Sequence, residues 1–255
     1  MHPARSTLAV LGIVAVLTGC SGDPSAPSTS ADDLTGTLTV YAAASLQDTF
    51  EELGELFEQE HPGVTVTFNF GASSTLAQQI DAGAPVDVLA TANTSTMESV
   101  SGLTESPEVF ARNSLQIVVP AGNPGGVTGL ADFADPELTL ALCAEDVPCG
   151  SAAIAAFEAA GITPVPDTYE KDVTATLTKA VLGEVDAALV YRTDVLSAGD
   201  AVQGIDFPEA GAARNDYPIA VLADAPQPEA ARAFVDLVLS ETGQQVLADA
   251  GFDGP

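Results

Sequence analysis

The sequence predicts an α/β fold of two lobes, each a mostly parallel sheet flanked by helices, with a ligand cleft between the lobes. Strand-like and helix-like segments alternate as β-α-β-α-β within residues 38–91. This alternation indicates a mostly parallel sheet with right-handed crossovers. A second series of such segments follows Pro120, and a return strand begins at Tyr217. Two crossings between two α/β lobes are typical of a hinged protein that forms a cleft.

The first lobe opens with two strand-to-helix junctions, and each junction carries a serine. Ser45 lies between a strand over 38–41 and a helix over 49–59, which has apolar residues at helical spacing. Ser73 lies between a strand over 64–70 and a helix over 75–82. Helix N-termini present unpaired N–H groups that suit an anion, and the carboxyl ends of parallel strands share the edge where ligands bind. We therefore expect both serines at one anion site.

The second lobe repeats this order of elements. Leu138–Leu142 is predicted as a strand, and a helix over 150–160 follows it and ends at Gly161. Another helix opens at 171–173, and the strand after it ends with Tyr191. The return strand and two final helices then rejoin the first lobe. We expect lobe I to comprise 36–113 plus 218–255, and lobe II to comprise 114–217.

The N-terminus indicates export. Residues 1–19 form a signal peptide, because His2 and Arg5 precede an apolar run that is too short to span a bilayer. Leu17-Thr18-Gly19-Cys20 resembles the lipobox of bacterial lipoproteins, which implies cleavage before Cys20 and lipidation of that cysteine. Residues 20–35 are then the lipidated cysteine and a flexible Ser/Pro-rich tether. This places the protein outside the cytoplasm, lipid-anchored to the outer face of the cell membrane.

The net charge of the chain excludes some classes of binding partner. The sequence contains 36 acidic and 7 basic residues, for a formal net charge of −29. A surface of this sign repels nucleic acid and anionic membranes. We therefore expect no nucleic-acid partner, and contact with the membrane through the lipid anchor only.

Two cysteines remain in the body, Cys143 and Cys149. In an exported chain, this pair predicts a small disulfide loop, and two free thiols are the alternative. A metal site is not expected, because the body contains no other cysteine and its only histidine, His61, lies in a Glu-His-Pro-Gly turn.

Several motifs resemble one family along most of the chain. Val40-Tyr-Ala-Ala-Ala-Ser-Leu46 and the segment 71–87 are similar to the periplasmic molybdate-binding proteins of ABC transporters, and 146–150, 171–173, 188–191 and 230–252 support the match. The resemblance implies the periplasmic-binding-protein (type II) fold. It also implies a receptor that binds molybdate or tungstate and delivers it to a membrane permease. We expect a monomer with no cofactor besides the bound oxyanion.

In that family the oxyanion is held by neutral hydrogen-bond donors. Carried onto this chain, these donors are the hydroxyls of Ser45, Ser73 and Tyr191 and the main-chain N–H groups of Cys149 and Val173. Cys149 stands where the family commonly has alanine, which changes little for a main-chain donor. These donors include no acceptor for a proton, so a fully ionised oxyanion is favoured over hydrogen phosphate.

Other functions are less well supported by the residues. A receptor for another fully ionised oxyanion such as sulfate is the main alternative, and the sequence does not separate molybdate from tungstate. A carboxylate receptor would need an arginine clamp, and no arginine is placed for one. A serine hydrolase is not supported, because the chain has no Gly-x-Ser-x-Gly motif. Asp87, an acid near the cleft, is expected to organise a loop. We therefore expect a binding protein and not an enzyme.

Overall fold

The computed structural model describes residues 34–255. The predictions for 1–19, for lipidation of Cys20 and for most of the tether lie outside the described residues. In the described part of the chain, no helix is long and apolar enough to cross a membrane. Its strands are β1 Gly36–Ala43, β2 Val64–Gly71, β3 Val88–Ala90, β4 Glu108–Asn113, β5 Leu115–Pro120, β6 Leu140–Cys143, β7 Thr168–Glu170, β8 Ala187–Tyr191, β9 Val202–Ile205 and β10 Asn215–Val221. Its α-helices are α1 Gln47–Glu60, α2 Ser73–Asp81, α3 Thr94–Ser99, α4 Pro148–Ala160, α5 Val173–Val181, α6 Arg192–Ala198, α7 Pro228–Leu239 and α8 Glu241–Asp249.

The strands form two five-stranded sheets, one in each lobe. Their orders are β2-β1-β3-β10-β4 and β7-β6-β8-β5-β9. In the first sheet β10 is antiparallel to both neighbours, and the other four strands share one direction. In the second sheet only β5 is reversed. The prediction of two mostly parallel sheets is therefore confirmed, with one reversed strand in each mixed sheet.

The two reversed strands are the ones that enter a sheet from the other lobe. Only Ser114 separates β4 from β5, and β10 follows a 3₁₀ helix, Pro208–Ala213, of the second lobe. The boundary expected at 113/114 falls between β4 and β5. The boundary expected at 217/218 falls inside β10, which pairs with β4 from Asn215 onward.

The core of the first lobe explains why the end of the chain returns to it. Phe50 and Phe57 lie on one face of α1, as the helical spacing predicts, and both are fully buried. Phe234 of α7 packs its ring against Phe50, Phe57 and Phe68, with ring centroids 5.5–6.3 Å apart. The last two helices therefore complete a core that the first helix begins.

Asp87 also joins the two ends of the first lobe. Its carboxylate accepts hydrogen bonds from the N–H of Thr39 in β1 and of Gln227 before α7, at 2.8 and 2.6 Å. The side chain is buried, so these bonds replace the lost water. Asp87 thus organises backbone in lobe I.

We expect Phe234→Ala to lower the free energy of unfolding by about 3–5 kcal/mol, because it removes a buried ring and leaves a cavity among three others. Urea unfolding followed by circular dichroism would measure this change. Leu182→Ala is the control, since Leu182 is 64% exposed, and its effect should stay within about 0.5 kcal/mol. Equal effects of the two substitutions would contradict this description of the core.

Candidate functional site

A small cavity lies between the two lobes, where the carboxyl ends of the parallel strands face each other. Its enclosed volume is only about 10 Å³. Pockets for organic ligands are commonly about 300–1,000 Å³, so this cavity suits a small inorganic ion better. All five residues predicted to hold the ligand line its wall: Ser45, Ser73, Cys149, Val173 and Tyr191.

The first lobe contributes two serines from neighbouring strand ends. Ser45 lies in the 3₁₀ turn Ala44–Leu46, which leads from β1 into α1. Ser73 is the first residue of α2, and no side chain caps this helix. The Ser73 hydroxyl accepts a hydrogen bond from the N–H of Ala92 at 3.0 Å. Its own proton is therefore available to an acceptor in the cavity.

The second lobe contributes two main-chain positions and a tyrosine, again at helix starts. Cys149 is the second residue of α4, which has no side-chain cap. Val173 is the first residue of α5, and the cap residue Asp172 accepts from the N–H of Ala175. Tyr191 ends β8 and directly precedes α6. Because the first N–H groups of a helix have no partner within the helix, such positions supply donors to a ligand.

A disulfide shapes the wall near Cys149. Cys143 at the end of β6 is bonded to Cys149, with their Cα atoms 5.8 Å apart. The intervening loop packs so closely on the helix start that a Cβ on Gly150 would lie 1.8 Å from the carbonyl oxygen of Ala144. Only glycine fits there. The disulfide therefore ties the first turn of α4 to the second sheet.

The basic side chains beside the cavity have other partners. Lys171 lies 3.7 Å from the carboxylate of Asp172 and is mostly exposed. Arg192 donates to the carbonyl oxygen of Gly251 and pairs with Asp253. The cavity wall within 34–255 includes no lysine, arginine or histidine, and no three metal-binding side chains in that range gather into a cluster. Attraction for an anion here comes from helix N-termini and hydroxyls.

A second tyrosine supports the site, and the sequence did not indicate it. Tyr217 is fully buried, and its hydroxyl lies 3.0 Å from the Ser45 hydroxyl. Its ring meets that of Tyr191 edge to face, with centroids 5.9 Å apart. Burial is the main reason that the pKa of each phenol is raised well above its ordinary value. Both phenols are therefore neutral donors across the physiological pH range.

Asp194 is a buried acid that is hydrogen-bonded to the main chain of Tyr191. Its carboxylate accepts from the N–H of Tyr191 at 2.8 Å. Burial, together with the nearby charges of Asp48 and Asp172, raises the pKa of Asp194 from 3.8 to about 7, although the Tyr191 hydrogen bond opposes this rise. The folded protein thus holds this carboxyl protonated in mildly acidic solution.

Two α/β lobes that each turn helix N-termini toward an ion-sized cavity define a solute-binding protein. The chain belongs to the bacterial extracellular solute-binding protein family, whose model matches residues 38–253. It is 42% identical over 248 residues to the molybdate-binding protein ModA of Mycobacterium tuberculosis, and the match covers 95% of each chain.

Two solved structures are similar in fold. The periplasmic molybdate-binding protein of Azotobacter vinelandii superposes with a TM-score of 0.75 at 19% identity, over 86% of this chain and 99% of the other. The sulfate-binding protein SubI of M. tuberculosis gives 0.74 at 18% identity, over 86% of each chain. These likenesses confirm the two-lobed fold. Their nearly equal TM-scores mean that the fold alone does not choose between the two oxyanions.

The Asp194 carboxyl predicts a pH-dependent stability. Below about pH 4 it is protonated in both the folded and the unfolded chain. Between pH 4 and 7 the unfolded chain ionises it and the folded chain does not, so its effect lowers stability as the pH rises. Relative to Asp194→Asn, the wild-type protein should lose about 4 kcal/mol of unfolding free energy across this range.

Denaturant unfolding at several pH values would measure this difference. Asp200→Asn is the control, because Asp200 is exposed, and its curve should run parallel to that of the wild type. Parallel curves for Asp194→Asn and the wild type would contradict the raised pKa of Asp194.

Proposed function

We propose that this chain is an extracytoplasmic receptor that binds molybdate or tungstate between its lobes and delivers it to the permease of an ABC transporter. The supporting observation is that five neutral donors from both lobes line one ion-sized cavity. A tetrahedral dianion has four oxygens that can each accept several hydrogen bonds, and hydroxyls and helix N-termini supply donors of this kind. The receptor holds its ligand without a cofactor and without catalysing a reaction.

The choice among oxyanions follows from the donors and from sequence similarity. Asp172 is the acid on the cavity wall, and both of its carboxylate oxygens have other partners: Oδ1 caps α5, and Oδ2 lies 3.7 Å from the Lys171 ammonium. Hydrogen phosphate carries a proton that needs an acceptor, so it fits this wall less well than a fully ionised ion. Sulfate is the second candidate, because SubI has the same fold. The 42% identity to a molybdate-binding protein over almost the whole chain favours molybdate.

The remaining properties of the receptor follow from its role. Lipidation at Cys20 would keep the protein at the outer face of the membrane, where the permease opens. A monomer leaves both lobes accessible to that permease. The net charge of −29 argues against nucleic acid as a partner.

Isothermal titration of the purified protein with molybdate, tungstate, sulfate and phosphate tests the proposal. We expect one tight site for molybdate and for tungstate, weaker binding of sulfate and no binding of phosphate. If sulfate or phosphate binds and neither molybdate nor tungstate releases or absorbs heat, the protein is not a molybdate or tungstate receptor.

The two serines should contribute directly to that affinity. Ser45→Ala and Ser73→Ala each remove one donor to the ion, so each should weaken molybdate binding by about 1–3 kcal/mol. Ser74→Ala is the matched control, since Ser74 follows Ser73 in α2 but does not line the cavity. If all three variants bind as the wild type does, the serines act only at the starts of their helices.

A further inference from the structure

Two asparagines face each other where the chain crosses between the lobes. Asn113 is the last residue of β4 and Asn215 is the first residue of β10, and the two are paired in register. Neither lines the cavity. The Asn215 side chain instead reaches the hydroxyl of Tyr191, which does line the cavity.

Asn215 fixes which way the Tyr191 hydroxyl points. Its side-chain nitrogen, Nδ2, donates to the Tyr191 oxygen at 2.8 Å. An amide NH₂ group can only donate, so it occupies a lone pair of the phenol oxygen. The phenol proton must then point away from Asn215, toward another acceptor.

Asn113 has partners within the crossing itself. The Asn113 oxygen accepts from the N–H of Ser114 at 3.0 Å, which turns its NH₂ group to the opposite side. That NH₂ group donates to Thr193 at 2.8 Å. The Tyr217 hydroxyl lies 3.0 Å from the Ser45 hydroxyl, and either of the two can be the donor.

We propose that Asn215 is a positioning residue for the oxyanion: its amide group fills an acceptor site of the Tyr191 hydroxyl, so that Tyr191 turns its proton toward the cavity. This inference rests on the proposed function. An anion then meets the hydrogen of this hydroxyl, because a lone pair is satisfied from behind. The same hydroxyl free to rotate would present a lone pair for part of the time and repel the ion.

Reversal of the Asn215 donor tests this inference. Asn215→Asp keeps the shape but offers an acceptor, so the Tyr191 proton turns to the new carboxylate and leaves the cavity. We expect about 100-fold weaker molybdate binding at pH 8, from one reversed donor and one added charge. Asn215→Leu removes the donor without adding charge and should bind about 5-fold more weakly.

The pH dependence separates donor reversal from simple disruption. The carboxyl that Asn215→Asp introduces can donate again once it is protonated, so the deficit of this variant should shrink as the pH falls from 7 to 4, toward the ordinary aspartate pKa of about 3.9. The deficit of Asn215→Leu should stay constant over the same range. Each affinity is taken as a ratio to the wild type at the same pH, which cancels the titration of Asp194. Asn69→Asp makes the same charge change on β2, where Asn69 donates to Gln79, and should change affinity by about twofold at most.

A double-mutant cycle tests the link through Tyr191. Tyr191→Phe should weaken binding in the wild-type background, and Asn215→Leu should have little further effect on Tyr191→Phe, because Asn215 acts through that hydroxyl. Additive effects, or a deficit of Asn215→Asp that does not vary with pH, would overturn the inference while molybdate still binds the wild type. A wild-type protein that binds no tetrahedral oxyanion would instead remove the proposed function, and this inference with it.

Discussion

The structure depends on one constraint: a cavity that takes up an anion has to attract it with donors that carry no formal charge. The chain has few basic residues, and those near the cavity bind carboxylates and a carbonyl oxygen. Helix N-termini meet this constraint, because their first N–H groups have no partner within the helix and carry a partial positive charge. The fold places such termini from α2, α4 and α5, and the turn before α1, around one small space.

The parallel direction of the strands allows several helix N-termini to surround one cavity. In a parallel β-α unit, each helix starts at the carboxyl end of its strand, so neighbouring units bring their helix N-termini to the same edge. Each sheet of this protein keeps four strands in one direction. The strands that break the rule, β5 and β10, are the crossings that turn the two edges toward each other. The reversed strands are thus needed for a cleft with donors on both walls.

The sequence predicted the parts of this arrangement that are local in the chain. Ser45 and Ser73 stand at strand-to-helix junctions that periodicity and small residues reveal, and both line the cavity. Cys149 and Tyr191 were placed by resemblance, since a residue at the start of a helix or the end of a strand is more often structural. Tyr217, Asn113 and Asn215 could not be found in this way. Their contacts depend on the register between β4 and β10, which lie about a hundred residues apart.

Some of the contacts that join the two lobes also hold a residue of the cavity wall. Tyr191 belongs to the second lobe, whereas its partner Asn215 opens the strand that returns to the first. The contact between Asp48 of α1 and Ser197 of α6 and the contact of Arg192 with Gly251 also join the lobes. Opening the cleft would separate groups on these contacts and release the Tyr191 hydroxyl from its partner Asn215. Closure would bring the two walls of the cavity together and restore that contact in the same movement.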